Sequence, residues 1–104
     1  MSLVKDVLQE ELNRLTALKE KYKTNISQYP KGTLITKKRF YKEYLYITYR
    51  KQNKVVSDYI GLADSEGAKE MEVKINKRKE YEAKLKKINQ NLKEVKSALR
   101  NREQ

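Results

Sequence analysis

The hydrophobic period of this chain changes twice. It switches from helical to alternating at Pro30-Lys31-Gly32 and back to helical after Gly61. A helix repeats every 3.6 residues and a strand every two, so one element cannot serve both patterns. The spacing therefore predicts an α+β chain: an N-terminal helix, a three-stranded antiparallel β-meander and a long C-terminal helix. With 104 residues, these elements are expected to form a single domain.

The first helix is expected over residues 3–23. Val4, Leu8, Leu12, Leu15, Leu18 and Tyr22 recur at spacings of three and four. Ser2 is a candidate cap. The pattern fades at Thr24-Asn25. The second helix is expected over 66–101, after an N-cap at Asp64 or Ser65. From Tyr81 its apolar residues (Leu85, Ile88, Leu92, Val95 and Leu99) keep a strict three-four spacing, the mark of a coiled coil. Both helices flank one small sheet, which predicts an antiparallel coiled-coil hairpin. Aligned at the sheet end, the shorter helix runs out near residue 90 of the longer. Leu92, Val95 and Leu99 then face water and call for a second copy, so a homodimer through Leu85, Ile88, Leu92, Val95 and Leu99 is expected.

Between the helices, β-branched and aromatic residues dominate 33–60, with strands expected at 33–39, 43–50 and 54–60. Phe40-Tyr41-Lys42 and Lys51-Gln52-Asn53 are the connections. Two registers fit the second link. A two-residue Gln52-Asn53 turn sets Asp58 beside Ile47. A five-residue link groups Leu45, Ile47, Tyr49, Val55 and Tyr59 on one face, with Tyr44, Tyr46, Thr48 and Val56 on the other. The second is preferred because it keeps a carboxylate off an apolar face.

Charge directs the functional reading. The chain holds 25 Lys and Arg against 14 Asp and Glu, a net charge of +11. Such a balance attracts nucleic acid, anionic surfaces or acidic proteins. The meander concentrates it: Lys37, Lys38, Arg39 and Lys42 cluster at the first turn. Tyr44, Tyr46 and Arg50 share strand parity, and Lys51 and Lys54 follow at the next turn. Cations neutralise phosphates, arginine and lysine read guanine edges, and tyrosine rings stack on bases. The bland counterpart is that these cations guard sheet edges and the tyrosines pack under helices. The lysines of the second helix read mainly as a solvated coiled-coil exterior, since Glu70–Lys74, Glu80–Lys84 and Glu82–Lys86 are spaced for pairing.

Catalytic patterns are missing. With no Cys and no His, thiol nucleophiles, common zinc ligands and the usual neutral-pH base are excluded. Glycines stand at 32, 61 and 67 and cannot build a phosphate-cradling loop. We therefore expect no enzyme activity, no metal and no cofactor. No run of 18 apolar residues occurs, so no membrane partner is expected, and the lack of Cys suits a reducing cytoplasmic setting.

The stretch PKGTLITKKRFYKEYLYITYRKQNKVVSDYIG, 30–61, resembles small uncharacterised bacterial and phage proteins with a helix–β-meander–helix order. Its meander followed by Ala68-Lys69-Glu70 also resembles the arm-type DNA-binding domain of tyrosine integrases. That second resemblance implies a sheet face in a DNA major groove, engaging Lys38, Tyr44, Tyr46 and Arg50. The second helix is far longer than such a domain needs.

Taken together, the residues point to a non-enzymatic accessory protein that binds DNA or RNA through a basic, tyrosine-rich sheet, encoded by a phage or mobile element. The competing class is a protein-binding adaptor. It would dock on an acidic protein partner and inhibit or assist a nucleic-acid enzyme such as a bacterial defence nuclease.

Overall fold

A computed structural model describes residues 3–102 of the chain, so Ser2 lies outside the described residues. The element order is α1 (Leu3–Ser27), β1 (Thr33–Arg39), β2 (Lys42–Lys51), β3 (Lys54–Leu62) and α2 (Glu66–Arg102). This is the expected α+β architecture. The chain clusters into two compact units. One joins residues up to Gln28 with those from Glu80 onward, and the other is Tyr29–Lys79.

The helical unit is an antiparallel hairpin. Leu15 is buried against Ile88 and Leu92, with Leu12, Leu18, Tyr22 and Val95 packed around them. Further along α1, the Tyr22 ring lies 6.0 Å from that of Tyr81. The partner number falls on α2 as the α1 number rises, which fixes the antiparallel sense. Burying each leucine here contributes about 1.5–3 kcal/mol.

Two expectations about this unit need correction. First, α1 continues four residues beyond 23, to Ser27. Thr24 Oγ1 donates to the Glu20 carbonyl at 3.0 Å and Ser27 Oγ to that of Thr24 at 2.6 Å. The hydroxyls thus take acceptors on the preceding turn, and the helix runs on past the end of its apolar stripe. Second, α1 pairs with α2 from about Tyr81 onward rather than from its start. Leu92 and Leu99 are then only 5% and 9% exposed within one chain, and Ile88 is buried as well. Leu85 and Val95 are half-buried. The apolar strip that argues for a second copy is therefore not left over, because the hairpin itself covers it.

In the other unit, β2 is central and the strand order is β1-β2-β3. Its buried apolar residues are Leu45 and Ile47 of β2 with Ala68 and Ile75 of α2. Leu45 and Ile47 share one face of the sheet, and Ala68 and Ile75, seven apart, share one face of the helix. Ser65 is the N-cap: its Oγ accepts from the Ala68 amide at 3.2 Å and donates to the Leu62 carbonyl at 2.7 Å. Arg78 closes the unit's entry by donating to the Tyr29 carbonyl at 2.7 Å.

The β2–β3 register is the one not preferred from sequence. Lys51 pairs Lys54 and Ile47 pairs Asp58, so Gln52-Asn53 is a two-residue turn. Both turn residues have positive φ, 49° and 65°, the left-handed geometry that matches strand twist in tight hairpins. Asp58 remains exposed to solvent in this register, so it carries no burial cost, and the Tyr49 hydroxyl donates to its carboxylate at 2.7 Å. A register shift between Leu45 and Tyr46 leaves Ile60 as the extra residue of β3. The β1–β2 link has the same two-residue form, with Phe40 and Tyr41 at φ 50° and 68°. Bulky side chains in that region cost about 1–3 kcal/mol each.

Candidate nucleic-acid interface

Strand parity divides the sheet into two faces. Leu45 and Ile47 define the covered one. Tyr44, Tyr46, Thr48 and Arg50 project from the other. On β1, Lys37 stands opposite Tyr44 and Ile35 opposite Tyr46, while Arg39 is opposite Lys42. On β3, Tyr59 stands opposite Tyr46 and Val55 opposite Arg50. The second face therefore collects Lys37, Arg39, Lys42 and Arg50. The two acids of the strands, Glu43 and Asp58, both have the opposite parity. Among the described strand residues, this open face carries four cations and no carboxylate.

Three rings occupy its centre. Tyr59 lies 5.6 Å from Tyr46 and 6.0 Å from Tyr44 between centroids, tilted by 60° and 53°. Such distances and tilts are favourable for aromatic pairs. The Lys37 ammonium sits 4.8 Å from the Tyr46 centroid, within cation–π range. Tyr44 and Tyr46 are half-buried by these neighbours, whereas Tyr59 is 58% exposed and Arg50 is exposed. A shallow cavity of about 390 Å³ runs from this cluster to the turn, lined by Arg39, Phe40, Tyr44, Tyr46 and Tyr59.

The structure thus brings together Lys37, Arg39, Lys42, Tyr44, Tyr46 and Arg50 on one face. It separates Lys38, Lys51 and Lys54, which have the parity of the covered face. Lys38 stands opposite Glu43 across the strands, an opposite-charge pairing. Lys51 and Lys54 face each other across the second turn, exposed to solvent.

Two residue sets belong to this site that sequence reasoning does not place there. The five-residue link puts Tyr59 and Val55 on the covered face, and the tight turn moves them to the open one. Asn53, a residue that readily adopts positive φ, is the available signal for that turn. In the sequence, Phe40 and Tyr41 read as part of a short three-residue connection with Lys42. Their position as the two residues between paired Arg39 and Lys42 makes them the turn itself.

No protein-family model matches the chain, and neither curated proteins nor solved structures provide a match. Among the described residues, no helix is long and apolar enough to cross a membrane.

Proposed function

We propose that this chain is a non-enzymatic nucleic-acid-binding protein whose open sheet face holds DNA or RNA. The observation that carries the reading is the segregation of charge. Lys37, Arg39, Lys42 and Arg50 share a face with three clustered tyrosines, and both strand carboxylates lie on the reverse. Lys38, Lys51 and Lys54 share the reverse with those acids, so what sets the open face apart is that its cations and rings have no carboxylate among them. Such a face suits a polyanion: phosphates meet the cations, and flat bases meet the rings.

The test is fluorescence anisotropy of a labelled oligonucleotide across a salt series. If all four cations meet phosphates, log affinity against log salt should fall with a slope of about −3 for a single strand. Reversing Lys37 and Arg39 to Glu should lower affinity and flatten that slope. Salt-insensitive binding, or none, contradicts the proposal. Co-purification with an acidic host protein in the absence of oligonucleotide binding would favour the adaptor reading instead.

A further inference from the structure

The turn joining β1 to β2 places its two most awkward residues in full view. Phe40 and Tyr41 are 91% and 97% exposed, and both hold left-handed backbone. Turns of this geometry ordinarily take Asn and Gly, because a bulky side chain at positive φ is strained. Burial does not compensate for that strain here, since both rings stand in water. The companion turn at Gln52-Asn53 has the same geometry and no ring. At that turn Asn53 suits its position and only Gln52 departs, whereas at the first turn both residues depart and both are aromatic; such disagreements are expected where function requires them.

The surroundings indicate the partner. Arg39 and Lys42 face each other across the base of the turn, as Lys51 and Lys54 do across the second, so it is the rings beside the cations that set the first turn apart. Phe40 lines the same cavity as Tyr44, Tyr46 and Tyr59, so the turn's aromatic surface continues that of the sheet. On the other side, Tyr41 lines a second cavity with Lys38 and Lys42 and with the carboxylates of Glu43 and Asp64. A cation without a carboxylate therefore borders Phe40, and mixed charge borders Tyr41.

We infer that the Phe40-Tyr41 turn is a base-stacking finger and that the ligand is a nucleic acid with unpaired bases. The inference rests on the sheet-face reading above and narrows it to single strands and frayed ends. An intact duplex presents base edges and phosphates, which arginine and lysine can use but a ring face cannot. Unpaired bases present faces, on which aromatic side chains stack without regard to sequence.

The experiment compares the full-length protein with Phe40→Asn/Tyr41→Gly. This change gives the turn its preferred residues and leaves every cation in place. A second variant, Phe40→Leu/Tyr41→Leu, keeps apolar bulk and removes the rings. The probes are a single-stranded oligonucleotide carrying 2-aminopurine, the matched blunt duplex, and vesicles of mixed phosphatidylserine and phosphatidylcholine. The expected results are a preference for the single strand of about tenfold or more, quenching of 2-aminopurine on binding, and loss of both in both variants. The Asn-Gly variant should melt no lower than the parent and keep its salt slope. If both variants bind the single strand as tightly as the parent, the finger is refuted while the sheet-face proposal stands. A parent that prefers duplex likewise refutes the finger alone. Variant-sensitive binding to vesicles, with oligonucleotide binding unaffected, assigns the turn to a lipid surface and overturns the inference. A parent that binds no oligonucleotide overturns both proposals.

Discussion

Tyr59 stands directly across the strands from Tyr46, their ring centroids 5.6 Å apart, on the sheet face opposite that of Leu45 and Ile47. This pairing follows from the tight Gln52-Asn53 turn, and it completes the aromatic cluster around which the cations are arranged. Tyr59 neighbours both Tyr44 and Tyr46 and is itself more than half exposed, so it is the ring of the cluster best placed to meet a ligand.

Tyr59→Ala should weaken oligonucleotide binding by about 1–3 kcal/mol, the usual contribution of one stacked base. Isothermal titration at fixed salt reads this directly. The salt slope should not change, because no cation is removed. Tyr59→Phe should retain most of the affinity.

Gly32 is sterically required. Its φ is +147°, and a Cβ there would lie 2.8 Å from both Ile47 Cγ1 and the Thr48 carbonyl oxygen. Gly32→Ala should therefore cost at least about 1–3 kcal/mol, from backbone strain together with displacement of a buried side chain. Thermal denaturation should show the midpoint falling by about 4 °C or more.

Leu92 belongs to the interior of the helical unit, packed with Leu15 and Ile88. Leu92→Ala should destabilise the fold by about 2–5 kcal/mol. Because the residue is covered within one chain, this loss should be the same at low and high protein concentration. A denaturation midpoint that rises with concentration in the parent and not in the variant would return Leu92 to an intermolecular contact.

Tyr49 should respond to alkaline pH. The hydrogen bond to Asp58 is the main cause that raises its phenol above the ordinary value of 10.0, followed by loss of solvent and the nearby negative charge. A raised folded-state value means the stabilising contact is fully present below about pH 10 and is lost as pH climbs through the folded-state value. Phenolate absorbance should show a late-ionising component that Tyr49→Phe removes. An unchanged titration curve in that variant would contradict the assignment.

Element identity was legible in the sequence because hydrophobic period reports it directly. The alternation through Leu34, Leu45 and Ile47 and the three-four spacing from Tyr81 both correspond to observed elements. Register was not legible, because it depends on a turn whose preference competes with burial. Avoiding a carboxylate on a buried face is a sound rule, yet Asp58 on the edge strand β3 stays in solvent although it pairs with buried Ile47. The end of α1 was hidden because its last turn, with Thr24 and Ser27, is polar and continues the helix beyond the apolar stripe that marks it. The cations of the site were visible from composition, but their sorting by face required the pairing partners of each strand.

Face-resolved charge reversal tests the central claim most directly. One variant carries Lys37→Glu, Arg39→Glu and Arg50→Glu on the open face, and the charge-matched control carries Lys38→Glu, Lys51→Glu and Lys54→Glu on the reverse parity. Affinity for a labelled single-stranded oligonucleotide is measured for both at one moderate salt concentration. The account predicts that the first variant loses about a hundredfold or more, by analogy with the loss of several phosphate contacts, and that the control loses far less. Equal losses would show that only overall charge matters, and the open sheet face would have no special role.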